Sequence, residues 1–175
     1  MNLPVTPSQT VGPFFHIGLA HLCRGDFAPA HASGERVSVQ GRVLDGKGAA
    51  VDDALIEVWH ADTNGRYAAA QSGFGRVATD SSGAFRFSTI KPGRVMDTVG
   101  GTHAPHLAVT VFMRGLLKHL VTRMYFADDP ANASDPGLAL VPSERRATLI
   151  ATRIDGGFEW NIVLQGKDET VFFDC

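Results

Sequence analysis

Glycine and proline punctuate this chain so regularly that long helices have no room in it: 19 Gly and 9 Pro put a turn signal roughly every 8 to 12 residues. Between the turns, apolar residues alternate with polar ones or run briefly without interruption, as strands of a two-layered β fold require. Val37 to Val43 alternates, Asp45-Gly46-Lys47-Gly48 turns, and Ala54 to Trp59 follows, a pattern that reads as a β-hairpin or a close relative. Further strands are expected near Arg76–Thr79, Ala84–Thr89, Leu107–Met113, Leu120–Phe126, Phe158–Leu164 and Val171–Phe173. The two most apolar of these, beginning at Leu107 and Leu120, are expected to lie in the middle of the core. Residues 142–150, with Pro142 and Ser143 ahead of good helix formers, predict one short surface helix. The expected architecture is all-β, an antiparallel β-sandwich with long loops and one short helix.

At 175 residues with 44% hydrophobic composition, the chain is long enough for a single domain with its own core. Its 16 Lys and Arg against 18 Asp and Glu, scattered rather than in runs, give no footprint for nucleic acid or an anionic membrane. The start, Met1-Asn2-Leu3-Pro4-Val5-Thr6, lacks the basic and apolar regions of a secretory signal, and no run of about 18 apolar residues occurs. Cys23 and Cys175 stand in no metal or redox spacing, so reduced thiols and a cytoplasmic location are expected.

No phosphate loop, nucleophile elbow, H-E-x-x-H helix or cysteine zinc pattern is present. Histidine, tyrosine and arginine are left to carry chemistry. His103 and His106 flank Ala104-Pro105 ahead of an apolar strand. Two strand histidines share a face when they stand two residues apart, but the residue two beyond His106 is Ala108. On the residues alone, both are ordinary histidines at a strand mouth.

Thr6-Pro7-Ser8-Gln9-Thr10-Val11-Gly12-Pro13-Phe14-Phe15-His16-Ile17-Gly18-Leu19 resembles the opening motif of the intradiol ring-cleavage dioxygenases, specifically of protocatechuate 3,4-dioxygenase subunits. The likeness continues through Ile56 to Trp59, Asp62 to Tyr67, Phe74-Gly75-Arg76, Thr89 to Gly93, Ala104-Pro105-His106, Thr122 to Phe126 and Thr170 to Phe173. It implies an intradiol-type β-sandwich spanning residues 1–175, with residues 1–35 as an N-terminal arm at a partner interface. Catalytic members of the family hold Fe(III) with two tyrosines and two histidines on G-R-Y, P-G-x-Y and H-x-H patterns. Here Tyr67 and His106 fill one place of each kind, while Val95 and Ala108 stand where the second tyrosine and histidine belong. Hard Fe(III) favours phenolate and imidazole together, and half a ligand set is too little. The resemblance therefore implies no metal or other cofactor in this chain, with Fe(III) in a β-type partner. Tyr67 and His106 become relics of a metal site, hydrogen-bonded in a small polar pocket.

By the same resemblance this chain is an α-type subunit, inactive alone, that completes the partner's active site for cleavage of a small aromatic acid by O2. Thr10, Gly12, Pro13 and Phe14 would line the substrate cavity, and Arg114 would balance the charge of the acid or of ring opening. Phe14 replaces a tyrosine common among relatives, and the loop from Ala68 to Gly73 is short for the family. Two other readings are a stand-alone dioxygenase recruiting His103 or His60, and a non-enzymatic transthyretin-like module suggested by Gly41-Arg42-Val43, Thr79-Asp80 and Gly83-Ala84-Phe85.

Overall fold

The computed structural model describes residues 5–12, 14–28, 33–67, 73–97 and 100–174. Strands carry the fold: β1 (Arg36–Leu44), β2 (Leu55–His60), β3 (Gly73–Ala78), β4 (Ala84–Ile90), β5 (Val95–Met96), β6 (Thr102–His103), β7 (His106–Phe112), β8 (Leu120–Phe126), β9 (Ile150–Ile154), β10 (Gly157–Glu159) and β11 (Ile162–Val163). Helical pieces are short, with α1 (Phe14–Leu19) and α2 (Pro136–Ala139) joined by 3-10 turns at Ala20–Leu22, Pro130–Ser134 and Ser143–Leu149.

Alternation along the strands decides what is buried. Val37, Val39 and Val43 of β1, Ile56 and Val58 of β2, Leu107, Val109 and Val111 of β7, and Met124 and Phe126 of β8 all enter one core. A second, smaller cluster forms on the opposite face of β8. There Tyr125 packs with Ala104, which lies between β6 and β7, and with Ala131, Leu138, Val141 and Leu149 from the long crossover after β8.

The expected antiparallel sandwich needs correction: the fold is mostly β, but its main sheet is mixed and nearly closed on itself. Its strands run β11-β1-β10-β9-β8-β7-β2-β3, with β4 on the other edge of β1. β1 pairs parallel with both β10 and β11, and β8 pairs parallel with β9. Residues 127–149 supply the crossover that a parallel β8–β9 pair demands. The expected hairpin of residues 37–43 and 54–59 is absent for a related reason. The Asp45 turn folds the chain back only as far as the bridge between Leu44 and Ala50. β2 then crosses to pair with β3 and β7, and β4 takes the place beside β1.

Other boundaries moved as well. The expected helix at 142–150 is a 3-10 turn, whose Pro142 cap position has no capping side chain, and its last residue opens β9. The 158–164 strand splits into β10 and β11, and of the expected 171–173 strand only the bridge between Phe173 and Val121 forms.

The seam between β3 and β4 is filled from the N-terminal side. Cys23 bridges to Arg76 of β3 and Asp26 to Ser88 of β4, while Phe27 N–H donates to the Ser88 carbonyl at 2.8 Å. Phe27 thereby enters the core and stacks on Phe87 with 4.7 Å between ring centroids. Gly75 makes room for it, since a Cβ there would overlap the Phe27 ring.

Candidate functional site

Two regions hold the residues singled out from the sequence: the arm with the Arg114 turn, and a polar face beside β7 and β8. In the first, residues 5–10 are exposed and α1 buries no side chain. Phe14 is 80% exposed, and Val5 and Ile17 are also largely in solvent. Gly12 has open space around it and accepts a hydrogen bond from the Phe15 N–H at 3.2 Å. Pro13 lies outside the described residues, as do Cys175 and residues 68–72 of the short loop.

The arm is pinned where Arg114 sits. Gly115, in the turn between β7 and β8, donates its N–H to the Thr10 hydroxyl oxygen at 2.7 Å. Arg114, one residue earlier, is ion-paired through Nε with Asp53 while remaining 60% exposed. That carboxylate raises the Arg114 pKa, so the guanidinium stays charged at every working pH. A guanidinium carries five N–H donors, so pairing at Nε leaves donors for an incoming anion. Beside this turn a cavity of about 350 Å³ opens between the arm and the β7–β8 connection, lined by Gln9, Val11, Met113, Leu117, His119 and Phe173 among others. Thus Thr10 and Arg114 come together at one place, with Gly12 and Phe14 just along the arm.

The second region holds the four positions, Tyr67, Val95, His106 and Ala108, at which the family resemblance expects iron ligands. Asp62 organises the first loop, accepting the N–H groups of Asn64 and Arg66 at 2.8 and 2.9 Å. Gly65, at φ +77°, brings this loop against Arg94, where any Cβ would overlap the Arg94 carbonyl. Backbone contact between these loops sets the Tyr67 and Val95 segments side by side. Val95 in turn pairs with His103 across β5 and β6. Tyr67 packs on Trp59, ring centroids 4.7 Å apart, and burial raises its phenol pKa against the lowering pull of Arg123. Trp59, Ala108 and Arg123 form one cross-strand row over β2, β7 and β8.

His106 is buried, its Nδ1 2.7 Å from the Ala104 carbonyl oxygen; that nitrogen must carry a proton to donate. Burial pushes its pKa down to about 4, aided by the positive charges of Arg123 and His103. His106 is therefore hydrogen-bonded in a buried setting. Asp135 forms the floor, accepting from the Ala104 and Leu138 N–H groups at 2.7 Å each and from the Tyr125 hydroxyl at 3.1 Å. Burial works to raise the Asp135 pKa, but these donors win and hold it below its usual range. Burial likewise pushes Tyr125 up to about 12.

These residues do not fit ferric iron. One phenol and one imidazole stand at the four places, Val95 and Ala108 offer no donor atom, and a guanidinium lies among them. Among the described residues, no three His, Cys, Asp or Glu side chains are grouped to hold a metal ion. The proposed substitutes are otherwise engaged. His60 has its Nδ1 2.7 Å from the Ala61 carbonyl oxygen and its Nε2 2.6 Å from the Thr89 hydroxyl, while His103 Nδ1 lies 3.3 Å from Asp135.

Sequence reading passed over Arg123, Asp135, Asp53 and Trp59. Arg123 had a signal: it alternates out of phase with Thr122, Met124 and Phe126, and so takes the face of β8 opposite the main core. Asp53 had none, because its partner is 61 residues away, while Asp135 ahead of Pro136 signalled only a helix cap and not its reach to Ala104, 31 residues away.

A family model described as Dioxygenase matches residues 26–166. The protocatechuate 3,4-dioxygenase alpha chain of Burkholderia cepacia is 44% identical over 99% of this chain and 98% of its own length. The beta chain of the same organism is 35% identical, over 95% of this chain and 78% of its own. The hydroxyquinol 1,2-dioxygenase structure from Pseudomonas putida DLL-E4 superimposes with a TM-score of 0.65 at 20% identity, covering 93% of this chain and 63% of that one, and so shares the fold. This chain belongs to the intradiol dioxygenase family, as a homologue of protocatechuate 3,4-dioxygenase alpha chains.

Proposed function

We propose that this chain is the iron-free α-type subunit of a cytoplasmic protocatechuate 3,4-dioxygenase, and that it completes the active site of an iron-bearing β-type subunit. The reaction is intradiol cleavage of protocatechuate by O2 to 3-carboxy-cis,cis-muconate. The partner's Fe(III) supplies Lewis-acid activation of the bound catecholate. The observation that carries the reading is the Gly115–Thr10 hydrogen bond, which ties the exposed arm to the turn bearing a charged, accessible Arg114.

In this reading residues 1–35 serve as the arm toward the partner, and residues 1–175 act as one unit. Thr10, Gly12, Pro13 and Phe14 wall the substrate cavity, Gly12 through a backbone that carries no side chain. Phe14 brings an apolar ring without a hydroxyl, so it excludes water from the ring of the substrate and donates no hydrogen bond to it. Arg114 binds the anionic aromatic acid and offsets the charge that grows as the ring opens, exchanging part of its hold on Asp53 for the substrate. Arg114 is thus the catalytic residue of this chain.

Co-expression with and without an iron-bearing β-type chain, followed by iron content and protocatechuate-dependent O2 uptake, tests this. Iron and activity are expected only in the complex. Iron with activity in the lone chain would refute it.

A further inference from the structure

A fixed positive charge stands among the four positions read as ligand places. Arg123 is the cross-strand partner of Ala108, and such partners have Cβ atoms only roughly 5 Å apart. Its Nη1 lies 3.3 Å from His103 Nδ1 and 3.5 Å from the Tyr125 hydroxyl oxygen. His103 is the register partner of Val95, so the guanidinium reaches toward that position too. The His106 ring lies beside both of these partners, with centroids 5.8 Å from His103 and 5.6 Å from Tyr125, and Tyr67 packs on Trp59, which stands in the same cross-strand row as Ala108 and Arg123. Phe173 caps Arg123, the guanidinium carbon 5.9 Å from the ring centroid. The four positions read as ligand places therefore lie around one cation that cannot lose its proton. In a partly dry pocket, like charges repel far more strongly than in water.

We propose that Arg123 closes this centre to metal ions by charge, so that restoring the missing ligands with Val95→Tyr and Ala108→His does not restore iron binding until Arg123 is also replaced. The inference rests on reading Tyr67, Val95, His106 and Ala108 as ligand positions. It makes the loss of iron a property of three positions, two that no longer donate and one that repels.

The test uses the full chain assembled with its iron-bearing partner, reading iron per complex and the long-wavelength absorption of tyrosinate-bound iron. The Val95→Tyr/Ala108→His variant is expected to add no iron. Adding Arg123→Gln is expected to add one iron per chain with its absorption band, whereas adding Arg123→Lys, which keeps the charge, is expected to add none. Extra iron in the double variant with Arg123 intact would overturn the role of Arg123 and leave the ligand positions standing. Equal iron in the Gln and Lys variants would overturn charge as the cause. No extra iron in any assembled variant would overturn the ligand positions, and this inference with them.

Discussion

Acid should destabilise this protein through His106. Its pKa falls from an unfolded value near 6.5 to about 4 in the folded chain, because burial penalises the imidazolium. The folded state therefore binds this proton less readily than the unfolded state does. Stability from keeping the ring neutral is complete above about pH 6.5 and is lost as pH falls toward 4. Each pH unit in that window costs about 1.4 kcal/mol, so the loss is about 2 kcal/mol by pH 5 and roughly 3 kcal/mol by pH 4. His106→Gln has no proton to gain, and lacks this slope whatever its stability at neutral pH. Urea unfolding of dilute chain, followed by the fluorescence of Trp59 and Trp160 at pH 7, 6, 5 and 4.5, yields the difference between the two proteins at each pH. The wild type is expected to lose stability relative to His106→Gln as pH falls. Parallel pH profiles would refute the assignment of a buried, neutral His106.

Arg114→Ala in the assembled enzyme is expected to leave iron content and thermal unfolding unchanged while lowering turnover of carboxylate-bearing substrate on the order of 10- to 100-fold; unchanged kinetics would make Arg114 a surface residue. Phe27→Ala removes the ring that seals the β3–β4 seam and is expected to cost about 3–5 kcal/mol by urea unfolding, against less than about 1.5 kcal/mol for Phe27→Leu. Gly65→Ala combines a left-handed backbone with overlap on Arg94 and is expected to cost at least about 2 kcal/mol, read as a fall in the urea midpoint with an unchanged slope.

Much of the β character was legible because alternation is a local property. β1, β2, β4, β7 and β8 fall within a residue or two of where apolar period and turn residues put them. Partners and directions were not legible, since nothing in the Val37–Val43 pattern says that Phe158 rather than Val58 lies beside Val39. β9 was hidden, because residues 150–154 bury only Ala151 fully and lean on both neighbours for their place. α1 was missed in the opening motif because it buries no side chain and so shows no apolar stripe.

The candidate site divides along the same line. By itself, the sequence determined the family through motifs spread along the chain, and the absence of a tyrosine at Val95 and of a histidine at Ala108 and an arginine worth testing at Arg114 through the identities of single residues. Only the tertiary structure decided that Thr10 docks onto the Arg114 turn, that Asp53 anchors Arg114, and that Arg123 stands opposite Ala108. Those contacts join residues 105, 61 and 15 apart, respectively. A chain's local pattern sets which face a side chain takes, but contacts between distant segments depend on how the sheet closes.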